Sequence, residues 1–372
     1  MKLRNKVLIA ISIAWILFLG LTYLGSRVFL LQSFLALEQT RADNDLDRVD
    51  QALDQVNYAL YTFTSDWSHW NDAYSYIRGK NPEFIPGNIN LTAFINSNIN
   101  VLTFWDKAGH LVFGASVDRA AEKYVGFPPG LENYVYLGSE VLNRSDVNKD
   151  VHGYIITKNG IMLIASTAMT DGDKVLPSLG AMVTARYLDE ALVKKISETT
   201  KVALELFTRD QLKDSKQFGP DFKELEKNKK GHLATPIDEN MLEGFSLIRD
   251  INNKPIGMFR MTTPRSIYAS GKQAINYYLL TFVVLGVIFS MMMLWLLRIL
   301  IIKRLERLDK EIANIGENNA IKERVDASGS DELSSVSAEV NHMLDIIQAS
   351  QEQLEHRVQE RTQELQKTNI QL

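Results

Sequence analysis

Two stretches of this chain carry no charged side chain over a length that can cross a bilayer, and they constrain everything around them. The first runs from Val7 to Leu24, inside the charge-free interval between Lys6 and Arg27. The second runs from Tyr277 to Leu297, inside the interval between Lys272 and Arg298. A helix needs about 20 predominantly apolar residues to cross the hydrocarbon core. A cleaved leader is the alternative for the first stretch, but its apolar run exceeds the roughly 7–15 residues of a leader core, and no Ala-x-Ala site follows. A buried core helix is the alternative for the second. The tyrosines at one end and Trp295 near the other favour a span, because amphipathic rings sit at membrane interfaces. The sequence therefore predicts transmembrane helices over 7–27 and 276–298.

The flanks set the orientation. Lys2, Arg4 and Lys6 precede the first span without an acid, and Arg298, Lys303, Arg304 and Arg307 follow the second. Positive flanks stay cytoplasmic. Residues 1–6 are then a basic cytoplasmic tail, 28–275 lie outside, and both termini are inside. The formal net charge of −4 supplies no basic excess for nucleic acid, so none is expected as a partner. The chain has no cysteine, which excludes disulfides, thiolate nucleophiles and thiolate zinc sites.

The outer segment opens as a long helix from Leu35. Leu46, Val49, Leu53, Val56, Leu60 and Phe63 step by three and four, a narrow stripe that suits a helix–helix seam. The seam is either between two receptor chains or within one. The run Asp66–Ile77 continues the helical pattern. At about 100° per residue, Trp67, Trp70, Tyr74 and Ile77 fall in one sector, with His69, Asp72 and Tyr76 opposite. The stripe reads as core packing or as a ligand face. One imidazole and one carboxylate do not make a metal site, so no metal and no cofactor are expected.

Further on the period changes to strands. Ile99–Trp105, the turn Asp106-Lys107-Ala108-Gly109 and Leu111–Phe113 form a hairpin. His152–Thr157, Lys158-Asn159-Gly160 and Ile161–Ala168 form another. Leu179–Ala185 leads into a helix over Leu188–Ser197, with Val202–Phe207 as a further strand. Phe245–Asp250 and Pro255–Met261 make a last hairpin. The loop Phe127-Pro128-Pro129-Gly130 reads as exposed. The expected class is α+β, a PAS-like or Cache-like sheet carried on the long N-terminal helix. Candidate ligand contacts are Trp67, Trp70, Asp72, Tyr74, Trp105 and Arg186. Arg186 suits bidentate capture of a carboxylate or phosphate, and a structural ion pair is its other reading.

The Asp66–Tyr76 motif, the Asp106–Gly109 turn, Met182-Val183-Thr184-Ala185-Arg186-Tyr187-Leu188 and Thr263-Pro264-Arg265-Ser266-Ile267-Tyr268 resemble the fourth type of CHASE sensory domain, over roughly residues 40–270. The resemblance implies an extracytoplasmic sensor with an undefined small-molecule ligand and no catalytic chemistry. It implies a receptor in the bacterial inner membrane.

After the second span, Leu305, Leu308, Ile312 and Ile315 are again helical in spacing, and Gly316–Asn319 ends the run. Ser330 or Asp331 caps a second helix on which Leu333, Val336, Val340, Met343 and Ile347 repeat by threes and fours. Residues 299–350 are similar to a HAMP relay through Val325, Gly329, Asp331-Glu332-Leu333 and Asn341-His342-Met343. Lys303-Arg304-Leu305 stands where that family commonly has a proline. The resemblance implies a homodimer joined as a parallel four-helix bundle, with signal relay through Leu305, Leu308, Ile312, Asp331, Glu332, Leu333, Val336, Val340 and Ile347. Residues 351–372 continue as a coiled coil on Leu354, Val358, Leu365 and Leu372. The step from 347 to 351 is four where three is due, a stutter that locally unwinds a coiled coil.

No output enzyme is legible. Gly329-Ser330-Asp331-Glu332-Leu333 lacks the paired glycines and the phenylalanine of a cyclase signature, and no nucleotide-binding loop is present. The leading reading is a membrane sensor that passes its signal to a kinase or cyclase. The alternatives are a chemoreceptor-type adaptor and a tethered periplasmic enzyme using Asp66, His69 and Asp72, which lacks a nucleophile with a matched base.

Overall fold

A computed structural model describes residues 3–370 except 145, 214, 229 and 319. In chain order the first helices are α1 (Leu3–Gly25), α2 (Leu31–Ser68), α3 (Asn71–Ile77), α4 (Phe84–Asn88) and α5 (Leu91–Asn96). Strands β1 (Val101–Asp106), β2 (Leu111–Asp118), β3 (Lys123–Val125), β4 (Val151–Thr157), β5 (Gly160–Ala168) and β6 (Gly180–Tyr187) follow. Then come α6 (Glu190–Thr200), β7 (Ala203–Thr208), α7 (Arg209–Lys213), α8 (Gly219–Lys227), β8 (His232–Pro236), β9 (Met241–Arg249) and β10 (Pro255–Pro264). The last helices are α9 (Ser266–Leu297), α10 (Lys303–Glu317) and α11 (Glu332–Ile370), and π turns occupy Ser26–Leu30 and Arg298–Ile302. The chain divides into two compact units, residues 28–274 and residues 1–27 with 275–372.

Within 28–274 the strands make two antiparallel sheets where one was expected. The larger has the order β3-β2-β1-β6-β5-β4 and the smaller β7-β10-β9-β8. The small sheet was underread because β8 and the short helices α7 and α8 lie between its strands and carry little periodicity. β5 is a nearly unbroken apolar run because both faces of the large sheet are covered. On one face Leu163, Met182 and Phe104 join Val49, Leu53 and Leu60 of α2 and Leu192 and Ile196 of α6 in the main core. On the other, Met162, Ile164 and Val183 pack under Leu131, Tyr134 and Val141. In the loop before it, Phe127 and Pro129 are exposed as expected, whereas Pro128 and Gly130 are buried. At Gly180, φ is +148° and a Cβ would meet the Trp105 carbonyl oxygen at 1.8 Å, so the close β1–β6 approach requires glycine.

The stripe on α2 covers sheet, not a second helix of its own length. Leu46, Val49, Leu53 and Leu60 are buried against elements of both sheets and α6. The stripe looked narrow because the rest of the buried face is polar. Asn57, Thr64 and Ser68 are buried beside it, and Thr64 and Ser68 find hydrogen-bond partners in Thr184 and Thr167 of the large sheet. Buried polar groups are tolerated when paired in this way.

In the other unit, two helices are long and apolar enough to cross a membrane, one near the N-terminus and one including α9. The Trp15 ring meets Phe289 with centroids 6.4 Å apart, and a Cβ on Gly286 would strike that indole at 2.7 Å. Past α10, the connector folds back onto α11. The Val325 amide donates to Asn341 Oδ1 at 2.9 Å, and Asn341 Nδ2 donates to the Val325 carbonyl at 3.0 Å. Asp331 caps α11, accepting the Ser334 N–H at 2.9 Å. Arg304 pairs with that same Asp331 and donates to the Ser328 carbonyl at 2.7 Å.

The small faces of α11, Ser334 and Ser337, are buried within the chain, and Leu333 and Val340 are half-buried. Leu308 is half-buried and Ile315 buried on α10. Leu305, Ile312, Val336, Met343, Ile347, Leu354, Val358 and Leu365 are exposed. Glu332 opens α11 in its first turn. Leu372 lies outside the described residues.

Candidate sensory site

The tryptophan motif does not form one helix. α2 ends at Ser68, Trp70 is extended (φ −83°, ψ 128°), and α3 starts at Asn71. The break discards the common sector drawn for Trp67, Trp70, Tyr74 and Ile77, and it lets Tyr76 turn inward. Trp67 meets Trp70 edge-on at 5.7 Å, Trp70 meets Phe84 at 5.6 Å, and Tyr76 lies 5.9 Å from Phe84 and 6.1 Å from Phe104. The chain of rings anchors the end of α2 to β1. Trp70 keeps 40% of its surface exposed. Tyr74 is buried and donates to the Pro177 carbonyl at 3.4 Å, and Arg78 stacks over its ring. Asp72 is exposed and accepts from Asn81 at 3.3 Å.

His69 sits at the break. Its Nδ1 lies 3.2 Å from Ser65 Oγ, while Nε2 is buried without a hydrogen-bond partner. Burial, helped by the Lys174 charge, holds its pKa below the ordinary value. Among the described residues no group of three or more His, Asp or Glu side chains is placed to hold a metal.

The other two candidates lie elsewhere. Trp105 joins the core on the face of the large sheet away from α2, and its Nε1 donates to Thr103 Oγ1 at 2.8 Å. Arg186 is near the end of β6, paired in register with Leu163. Its Nε is buried without a partner, and burial followed by the nearby Arg119 charge holds its pKa below the usual arginine range.

Between the end of β2 and the start of α6 opens a cavity of about 600 Å³. Asn100, Arg119, Asn159, Tyr187, Asp189 and Gln211 give it polar walls, with Phe127, Ile161 and Leu206 as apolar ones. Arg119 reaches Asp189 at 3.5 Å and donates to Asn98 Oδ1 at 2.8 Å, and its own Nε is buried without a partner. Asp189 also caps α6 through the Leu192 N–H at 2.8 Å. Arg119 and Asp189 were not legible as site residues, because only the end of β2 and the start of α6 bring them together.

Two polar clamps hold α2 at its other end. Arg265, in the link to α9, donates to Glu38 Oε2 from Nε at 3.0 Å and from the terminal nitrogen at 2.8 Å. His232 on β8 sets Nε2 2.8 Å from Asp50 Oδ2 and Nδ1 3.6 Å from Asp47.

Comparison with known proteins gives this arrangement a context. Residues 52–207 match the CHASE4 domain. The methanogenesis regulatory histidine kinase FilI of Methanothrix harundinacea is 22% identical over 356 residues, which is 95% of this chain and 39% of that protein. This chain thus spans well under half the length of that relative. Among solved structures, the extracellular domain of the histidine kinase vpHK1S-Z8 is similar at 11% identity, covering 64% of this chain and 95% of that one, with a TM-score of 0.41. A domain of a sensory box/GGDEF family protein from Vibrio parahaemolyticus is similar at 12% identity, covering 63% and 99%, with a TM-score of 0.42.

Proposed function

Residues 52–207 match the CHASE4 domain, and on that premise we propose that this chain is the input half of a two-pass receptor in the cytoplasmic membrane. Residues 28–275 face outward and receive a small molecule or a stress. Residues 7–27 and 276–298 cross the bilayer, and the termini are inside. Residues 299–350 work as a HAMP relay and 351–372 as a coiled-coil linker to an output. The output is a kinase or a cyclase, and the histidine kinase among the relatives favours the kinase.

The observation that carries this reading is the order of parts. An apolar helix leads into α2, which lies on both sheets of the sensor, and β10 leads through Arg265 into α9, the second apolar helix. A change at the sheets is then felt at the two helices that enter the membrane. The exposed apolar row Leu305, Ile312, Val336, Met343 and Ile347 supports a homodimer, because a second copy would cover it as a parallel four-helix bundle. Trp67, Trp70, Asp72, Tyr74, Trp105 and Arg186 stay as proposed contacts or transmitters of the ligand signal. To move the relay from 1:99 to 99:1 a ligand must prefer one state roughly 10⁴-fold.

Deleting Ser350 from the full-length receptor tests the relay. It shifts the coiled coil by one residue beside the stutter, and altered or locked output is expected. Signalling that stays unchanged contradicts the mechanism.

A further inference from the structure

We propose that a second, smaller cavity, at the turn between β1 and β2, binds a compact oxyanion, with the buried Arg144 and the exposed Lys107 as its cationic walls. The proposal rests on the receptor reading for its biological meaning, and on the chemistry of the walls for the class of ligand.

The cavity holds about 340 Å³ and draws its walls from three places in the chain. Lys107 and Gly109 come from the turn, Leu137, Leu142 and Arg144 from the segment that ends the cover over the large sheet, and Ser178 and Gly180 from the start of β6. That segment is fixed to the sheet next to the cavity, because Val141 is buried and its carbonyl accepts the Ser166 hydroxyl. No carboxylate is among the lining residues.

Arg144 is only 3% exposed. Its terminal nitrogens donate to the carbonyls of Lys149 and Glu140, which are neutral acceptors, and its Nε is buried without a partner. The charges of Asp150, Glu140 and Asp146 act on it, but none of these acids forms an ion pair with it. Burial outweighs them and holds its pKa below the usual arginine range. Buried cations are normally paired, and a guanidinium is well shaped to hold an oxyanion. Lys107 faces the same cavity from the turn. Its ammonium has neither an ion pair nor a hydrogen bond among the described residues, and it is exposed. The adjacent Asp106 does not offset it at the cavity, because that carboxylate accepts from the His110 amide at 2.8 Å and lies 3.1 Å from its Nδ1.

A structural role is the competing reading, with Arg144 stapling its loop through two carbonyls. The staple accounts for the terminal nitrogens. It leaves the charge without a counter-ion, and it gives Lys107 nothing to do. The volume is at the small end of ligand pockets, and glycines form part of the wall, so the site suits a compact anion that can approach the peptide groups. The same oxyanion chemistry can come from an inorganic ion or from a small organic acid.

The test uses the full chain in lipid nanodiscs and follows its thermal unfolding with sodium phosphate, sulfate, acetate or succinate, against chloride at equal ionic strength. At least one of the four is expected to raise the midpoint saturably. A rise confined to phosphate and sulfate assigns an inorganic ligand, and one confined to acetate and succinate an organic acid. Lys107→Gln is expected to weaken the apparent affinity several-fold while leaving the midpoint in chloride unchanged, since the side chain is exposed and unpaired. Lys123→Gln, the same loss of charge on the exposed strand β3, is expected to leave the titration as it was. Arg144→Gln is expected to abolish the rise. Should that variant fail to fold for want of its two carbonyl contacts, Lys107→Gln decides alone. No rise with any of the four salts overturns the proposal. A rise that Lys107→Gln leaves intact, that a folded Arg144→Gln retains, or that Lys123→Gln weakens as much as Lys107→Gln does, means an adventitious ion only and overturns it too. Each of these failures, with the two-span topology intact, sinks the site and spares the receptor reading. A wrong topology does the reverse.

Discussion

Arg265 and Glu38 form a buried ion pair, 7% and 9% exposed, that ties the residue leading into α9 to the first half of α2. The pair is well satisfied on the cationic side. Arg265 also donates to the Asp238 carbonyl at 3.0 Å and lies 4.2 Å over the Tyr268 ring. The pair thus fastens the link into α9 to α2.

Glu38→Ala should destabilise the sensor by about 3–5 kcal/mol, because it leaves Arg265 buried and unpaired. Replacing both partners with apolar residues of similar size should recover most of that loss. Chemical denaturation of the single and double variants measures this. Equal losses in the single and the double variant would contradict the pair's proposed role.

His232 makes the hold on α2 depend on pH. Its hydrogen bond to Asp50 leads in raising its pKa above the ordinary 6.5, opposed by burial and aided by the charges of Asp50, Asp47 and Asp43, all on α2. From β9 the facing residue is the uncharged Ser246, which donates to Asp50 at 2.7 Å, and after α8 it is Asn228, which donates to the His232 carbonyl at 2.6 Å. A raised folded pKa gives stability that is full below the unfolded pKa and lost as pH rises through the folded one. Wild type should therefore out-melt His232→Gln near about pH 6, with the gap closing toward about pH 9. A gap that grows with pH would show the sign to be wrong.

The proposed homodimer would meet along the exposed row on α11. Ile347→Cys and Val336→Cys, in a chain that has no cysteine of its own, should give disulfide-linked dimers in membranes under mild oxidation. Ser337→Cys, turned into its own chain, should give far less. Equal cross-linking at all three positions would argue against a specific seam.

Much of the sensor was legible because its signals are local. The turn Asp106–Gly109 and the strands of β1, β4, β5 and β10 follow from alternation and turn chemistry. The α2 stripe was legible too, but its destination was not. Thr64 and Ser68 count as buried only once Thr184 and Thr167, far along the chain, are placed against them. The break at Trp70 has no proline or glycine to announce it. Arg186 could be singled out from its strand, whereas Arg119 and Asp189 on the cavity wall, which the fold alone brings to within 3.5 Å, could not.

The central claim is that the sensor lies outside and α11 inside. Single cysteines at Leu137, exposed in the sensor, and at Leu354, exposed on α11, report this directly with a membrane-impermeant maleimide. Leu137→Cys should label in intact cells stripped of any outer barrier, and Leu354→Cys only after lysis. Labelling of Leu354→Cys in sealed cells, or protection of Leu137→Cys, would contradict the account.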